Sequence, residues 1–255
     1  MTAFENAAGM LALAFLRYAP AIVLPSLSPL RWAPPLVRIV LALGLAWVTM
    51  LAMPVEDLHA GLGHAVAWTA AAFGELAIGT AFGLALAMPQ AALHHGGWLL
   101  DVQAGLGTAT LFDPGAQNET QSLLGMALML LATALFFTLD LHLDLYRSLI
   151  ASTQVLPLGQ MALRPEPTAI LAMIGNSFLL GLMVVAPVML GLFAIDIGVA
   201  YATRSMPQAN VYFLALPLKA LAAMLLLAVA LNTMPALISR LYHDAFSRVP
   251  SMLGV

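Results

Sequence analysis

Long apolar stretches separated by short polar breaks dominate this chain. About 20 mostly apolar residues suffice to cross a bilayer as a helix, and six or seven segments meet that measure. The first runs from Ala7 to about Leu30, interrupted by Arg17, Pro20, Pro25 and Pro29. Ile39–Val55 is free of charge, and Ala65–Pro89 contains only Glu75. The next segment, Gln90 to about Thr108, is amphipathic and holds His94, His95 and Asp101. Leu123–Leu139, Thr168–Ile195 and Tyr212–Ile238 come after it, the last with Lys219 inside it. No segment repeats at a fixed period and no Gly/Ser linker divides the chain, so residues 1–255 read as one domain. The prediction is an all-α, polytopic membrane-type protein.

The sharpest polar break is Asp113-Pro114-Gly115-Ala116-Gln117-Asn118-Glu119-Thr120-Gln121-Ser122. Asp113-Pro114-Gly115 has the residues of a tight turn: Asp first, Pro with its fixed φ second, and Gly third, where φ can be positive. Non-helical backbone at membrane depth must be buried in protein or line a water-filled path, because an unpaired N–H or C=O there is costly. Upstream, Leu106-Gly107-Thr108-Ala109-Thr110-Leu111-Phe112 is apolar but light and flexible. Such a stretch beside a polar turn is either a water-exposed loop or part of a pore, where it could fold inward as an obstruction.

Composition supports the membrane reading. Hydrophobic residues make up 62% of the chain and charged residues only 8%, against roughly 25% charged in ordinary soluble domains, and the mean hydropathy is +0.96. A formal net charge of −3 with scattered basic residues offers no stripe to track phosphates, so nucleic acid is not an expected partner. The absence of cysteine removes disulfides, thiolate metal sites and Cys nucleophiles. Met1–Ala8 carries Glu5 and no Lys or Arg, unlike the basic start of a cleaved signal peptide, so the first apolar segment reads as retained. The positive-inside rule does not orient the spans. With six of them, Arg164, Arg240 and Arg248 fall on one side and Arg31, Arg38 and Arg204 on the other.

Ionisable groups inside apolar segments are expensive and are functional candidates by default. Here they are Arg17, Glu75, Asp101, Asp140, Asp144, Arg147, Asp196 and Lys219. Asp140, Asp144 and Arg147 fall at i, i+4 and i+7, one stripe of a helix on which their charges compensate. That stripe reads as an ion-paired interfacial turn, with a proton or ion relay as the alternative. His142 points away from it, and the adjacent His94 and His95, about 100° apart on a helix, could not share one ion. No metal site is expected. A Gly-x-Ser-x-Gly elbow, a convincing Ser/His/Asp set and a phosphate loop are all missing, so enzyme chemistry has no support. Gly79-Thr80-Ala81-Phe82-Gly83 is a GxxxG step, and Gly96, Gly97, Gly105 and Gly107 lighten the next segment, which predicts dense helix packing.

Several motifs then occur in a recognisable order. They are Gly74-Glu75-Leu76-Ala77-Ile78-Gly79, Asp101-Val102-Gln103-Ala104-Gly105-Leu106, Asp113-Pro114, Phe136-Phe137 with His142-Leu143, Leu156-Pro157-Leu158-Gly159, and Met206-Pro207-Gln208-Ala209-Asn210-Val211 through Leu216-Pro217-Leu218-Lys219. Together, over about Leu11 to Leu241, the chain resembles the FliR/SctT family, the R/T subunit of the type III secretion export apparatus. His142-Leu143 and Pro157-Leu158-Gly159 lean toward the flagellar branch, whereas Asp140 and Leu141 depart from the usual pattern.

The resemblance implies a non-enzymatic subunit without cofactor, built of long helical hairpins packed into a helical hetero-oligomer. Its partners would be P-type and Q-type subunits (FliP/SctR-like and FliQ/SctS-like) and the FlhB/SctU-like switch protein that wraps the assembly. Unfolded protein substrates would pass through, driven by the export ATPase and the proton motive force. The setting would be the bacterial inner membrane, in the basal body of a flagellum or injectisome, with the hairpins lying largely above the membrane plane. The family's plug loop maps onto Gly105 to Gln117, including Leu106, Gly107, Thr108, Leu111, Phe112, Asp113, Pro114 and Gly115. A second hypothesis is a proton-coupled secondary transporter using Asp140, Asp144 and Lys219, but the two related halves such a protein should show are not found. Under the gate reading Lys219 neutralises an acidic group on a neighbouring helix, either Glu75 or Asp196, since a lone buried ammonium is costly.

Overall fold

The computed structural model describes residues 3–23, 29–52, 65–106, 122–159, 166–206 and 211–254. These residues are helical almost throughout. In chain order the helices are α1 (Ala3–Ile22), α2 (Pro35–Ala52), α3 (Ala65–Ala104), α4 (Leu123–Thr138), α5 (Leu141–Val155), α6 (Pro167–Ser205), α7 (Val211–Ala230), α8 (Met234–Ser247) and α9 (Val249–Leu253), with a 3₁₀ turn at Pro29–Trp32.

The expected six to seven spans are not confirmed. Among the described residues three helices are long and apolar enough to cross a membrane, or up to four if the pair α4–α5, bent by 68°, counts as one. Two sequence segments, Ala65–Pro89 and Gln90–Thr108, merge into the single 40-residue α3, which runs through Pro89. A proline removes one backbone N–H from a helix but does not oblige it to end. The apolar parts of α1 and α2, Ala7–Ile22 and Pro35–Leu51, are shorter than a standard span. The last predicted segment breaks after Ala230, where a turn at residues 231–233 separates α7 from α8.

Two compact units emerge, each assembled from separated pieces of chain. The first comprises Met1–Met88, Phe136–Gly175 and Tyr242–Val255; the second comprises Pro89–Leu135 and Asn176–Leu241. In the first unit α1 and the front of α3 run parallel, with Gly9 against the Trp68 ring and Gly79 against the Arg17 carbonyl and Pro20. The GxxxG step therefore joins α3 to α1: a Cβ on Gly83 would lie 3.0 Å from the Pro20 carbonyl oxygen. Leu141, Leu145, Leu149 and Thr153 form the buried stripe of α5, at the spacing of one helix face. Tyr18 shares a 2.7 Å hydrogen bond with Thr49 of α2.

In the second unit α3 and α4 are antiparallel. Gly97 meets the backbone of Gly125 so closely that no Cβ fits between them, and Gln90 donates to Thr133 at 3.2 Å. Helix α6 runs parallel to α3, with Gly181 on Ala92, Gly96 on Val185, and Gln103 donating to the Met189 carbonyl at 3.0 Å. Helices α6 and α7 are an antiparallel hairpin, Gly191 facing Leu226 and Asp196 facing Lys219.

Candidate functional site

Buried charge is where this apolar chain departs from plain packing, and among the described residues it gathers at three places. In the first unit Arg17 of α1 and Glu75 of α3 are 0% and 1% exposed. Glu75 Oε2 accepts from Arg17 Nε at 2.5 Å, and Oε1 accepts from Arg17 Nη2 at 3.0 Å and from the backbone N–H of Gly159 at 2.8 Å. Arg17 Nη1 also donates to Ser152 of α5 at 3.4 Å. The guanidinium fork matches a carboxylate in two parallel bonds, which adds geometric specificity to the charge pairing. The left-handed Gly159, φ 82, turns its N–H onto the carboxylate. One ion pair thus joins α1, α3, α5 and the turn after α5.

In the second unit Asp101, 4% exposed, sits near the end of α3. Ser122 Oγ donates to its Oδ2 at 2.6 Å, and the Leu124 N–H lies 3.2 Å from both carboxylate oxygens. Ser122 caps α4, its Oγ accepting from the Gly125 N–H at 2.8 Å. An anion beside the free N–H groups of a helix start is favourable. The third place is α6–α7, where Lys219 Nζ lies 2.6 Å from Asp196 Oδ1, their side chains 8% and 38% exposed. Of the two candidate partners for Lys219, the contact is with Asp196; Glu75 pairs with Arg17.

The expected stripe of Asp140, Asp144 and Arg147 is corrected. Asp140 falls in the break between α4 and α5 with a left-handed backbone, φ 56, and is exposed, so it is not on the helix that carries the other two. Asp and Asn adopt that conformation more readily than most residues. Arg147 is 77% exposed and reaches Asp144 at only 3.5 Å, while His243 Nε2 lies 3.3 Å from the other Asp144 oxygen. These three rim a cavity of about 500 Å³ in the first unit, otherwise walled mostly by apolar groups such as Phe82, Val155 and Phe246. Nearby, Asp244 holds Arg248 through bonds of 2.8 and 3.1 Å, and this bonding raises the Arg248 pKa above its ordinary value.

His142 packs among the rings of Phe136, Phe137 and Tyr146, with centroids 6.4, 5.5 and 6.1 Å away. His95 lies edge-on to Phe178 at 5.5 Å. Among the described residues no three His, Asp or Glu side chains converge as a metal site would require. Of the residues that the family resemblance assigns to a plug loop, Gly105 and Leu106 follow the end of α3, whereas Gly107, Thr108, Leu111, Phe112, Asp113, Pro114, Gly115 and Gln117 lie outside the described residues. Sequence reasoning flagged Asp101 but missed Ser122 as its partner. The available signal was a serine directly before an apolar run, a helix-start pattern.

Three of the described helices, or up to four, are long and apolar enough to cross a membrane, and ion pairs link α1 to α3 and α6 to α7; this defines a polytopic helical protein of membrane type. Residues 8–245 match the bacterial export proteins, family 1, and the chain belongs to that family, the FliR/SctT family. It is 28% identical to the flagellar biosynthetic protein FliR of Pectobacterium carotovorum over 217 residues, 85% of this chain and 82% of that one. Against the flagellar biosynthetic protein FliR of Escherichia coli K12 the identity is 26%, covering 88% and 85%. Against the secretion system apparatus protein SsaT of Salmonella typhimurium it is 26%, covering 86% of each. Relatives thus come from both the flagellar and the secretion-system branches.

Proposed function

We propose that this chain is a non-enzymatic subunit of a type III protein export gate, acting as a single export-apparatus domain in the bacterial inner membrane at the basal body. Together with P-type and Q-type subunits it forms the channel for unfolded substrates, with a FlhB/SctU-like switch protein around the assembly. The segment Gly105–Gln117 serves as the plug of the resting channel. The observation that carries this reading is the family match over residues 8–245. Exposed apolar side chains agree with it: Leu36, Trp47 and Leu51 of α2, Leu190 and Phe193 of α6, and Leu225 of α7 are each more than half exposed, surface that lipid or neighbouring helices would cover. The transporter alternative gains no support, since Asp140 is exposed and Lys219 is neutralised by Asp196.

The test is co-expression of the tagged chain with P-type and Q-type subunits and native mass spectrometry of the purified product. One defined complex holding a single copy of this chain is expected; a monomer or symmetric homodimer would overturn the proposal. Within that complex, deletion of Gly105–Gln117 is expected to leave the assembly intact and make the resting channel leak small ions. An unchanged ion barrier would remove the plug assignment.

A further inference from the structure

We infer that the cavity between α5 and α8–α9 in the first unit is a lipid site. It takes one acyl chain of a phospholipid whose head carries a phosphate and a primary ammonium, the phosphatidylethanolamine type. Asp144, Ala151 and Val155 of α5 line one wall, His243 of α8 and Leu253 of α9 belong to the other, and the buried Phe82 of α3 lies between them. The cavity thus follows α5 along nearly its whole length. Asp144 and Val155 are eleven positions apart, roughly 16 Å along a helix. Spread over that length, about 500 Å³ gives a mean section of roughly 30 Å², whereas a helix with its side chains, about 10 Å across, needs roughly 80 Å². The slot is too thin for a partner helix and admits an extended chain.

Its chemistry is divided between the two ends. Ser148, Ser152 and Ser247 also line it, yet each turns its hydroxyl back onto a carbonyl of its own helix, those of Asp144, Leu149 and Asp244, at 2.7, 2.6 and 2.9 Å. The middle and far end therefore offer an occupant apolar surface, and charge stands at one end, where Asp144 meets Arg147 and His243. Those contacts are long, 3.5 and 3.3 Å. The other ion pairs among the described residues close to 2.5 Å at Arg17–Glu75, 2.6 Å at Lys219–Asp196 and 2.8 Å at Arg248–Asp244, in the range of charge-assisted bonds. A head that brings phosphate to Arg147 and ammonium to Asp144 satisfies each more closely than they satisfy one another, and a guanidinium fork suits phosphate. A purely anionic head leaves Asp144 repelled, and a choline head offers it no N–H. An acyl chain in a bilayer is already out of water, so the gain lies in covering the cavity's own apolar walls, and the head decides which lipid is held.

The test reconstitutes the full chain in phosphatidylcholine vesicles containing a phosphatidylethanolamine with a photoreactive diazirine near the end of one acyl chain, and maps the cross-linked residues by mass spectrometry. Labels are expected to concentrate at the far end of the cavity, on Val155 and Leu253. Unlabelled phosphatidylethanolamine should displace them roughly two- to fivefold more effectively than phosphatidylglycerol or a fatty acid, the range of one exposed charge pair. Arg147→Gln and Asp144→Asn should lose that preference. Ala151→Phe fills the slot midway from an exposed position. With helix content unchanged, it should remove the cavity labels and leave labelling of the exposed Leu190 and Leu225 in the second unit as before. Cavity labels that survive Ala151→Phe, or labelling no denser there than on Leu190 and Leu225, would overturn the site. Displacement by phosphatidylglycerol or a fatty acid as effective as by phosphatidylethanolamine would overturn the head assignment. Repeated in cell membranes, replacement of the lipid labels by protein–protein cross-links would give the cavity to a partner subunit and overturn the lipid reading.

Discussion

Replacing Glu75 with Gln is the most demanding test of how this fold is held. The substitution keeps the size of the side chain but removes its charge and one of the two oxygens that accept from Arg17 Nε, Arg17 Nη2 and the Gly159 N–H. The guanidinium left behind is 0% exposed, so water cannot solvate it. Removing one partner of a buried pair costs about 3–5 kcal/mol, because the other charge remains uncompensated. At about 1.4 kcal/mol per factor of ten, the folded-to-unfolded ratio falls by roughly two to three and a half powers of ten. Stabilities of native proteins are only about 5–15 kcal/mol, so roughly a fifth or more of the total is at stake.

The assay is reversible unfolding of the purified chain in mixed micelles, followed by helical circular dichroism as denaturing detergent is titrated. Comparison with the double variant Arg17→Met/Glu75→Leu separates the two sources of cost. Removing both charges together discards the attraction and the desolvation penalty alike, and such replacements are often near neutral. The expected order is parent and double variant close together, with Glu75→Gln well below. A Glu75→Gln protein within about 1 kcal/mol of the parent, or a double variant as unstable as the single, would refute the view that an isolated buried charge is the penalty.

At the α6–α7 hairpin, Lys219→Met should lose roughly 1–3 kcal/mol and lower the yield of assembled complex, less than at Arg17–Glu75 because Asp196 is 38% exposed. The exchange Asp196→Lys/Lys219→Asp should restore much of that yield, and normal yield with reduced secretion in the single variant would contradict the assembly role. Gly97→Val puts a branched side chain onto the Gly125 backbone and should cost about 1–3 kcal/mol or more. For a chain of this size that is a Tm lower by roughly 2–4 °C per kcal/mol in thermal aggregation, and a Tm equal to the parent would show that α3 and α4 can separate freely.

Much was legible from the residues alone. Long apolar runs with 8% charge call for helices in or near a membrane, since helices satisfy their own backbone there. The same cost marked Arg17, Glu75, Asp101 and Lys219 as residues needing partners, and all four are buried. The family resemblance was legible too, through an ordered set of short motifs spread along the chain, and the family match over residues 8–245 agrees with it.

Other features depended on packing between distant segments. Arg17 meets Glu75 across 58 positions of sequence, and any acidic residue in a neighbouring span would have served as well on charge alone. The parallel approach of α1 and α3, set by Gly79 and Gly83 against Pro20, selects that partner. Pro89 looked like a boundary yet lies inside α3, since one missing hydrogen bond is cheaper than exposing a new helix end in an apolar setting. Asp140 looked like part of a helical stripe, yet it falls in the break between α4 and α5 with a left-handed backbone, φ 56, and is exposed. Local pattern determines which groups are costly to bury and which segments are helical; only the close crossing of helices at small residues decides which costly groups meet.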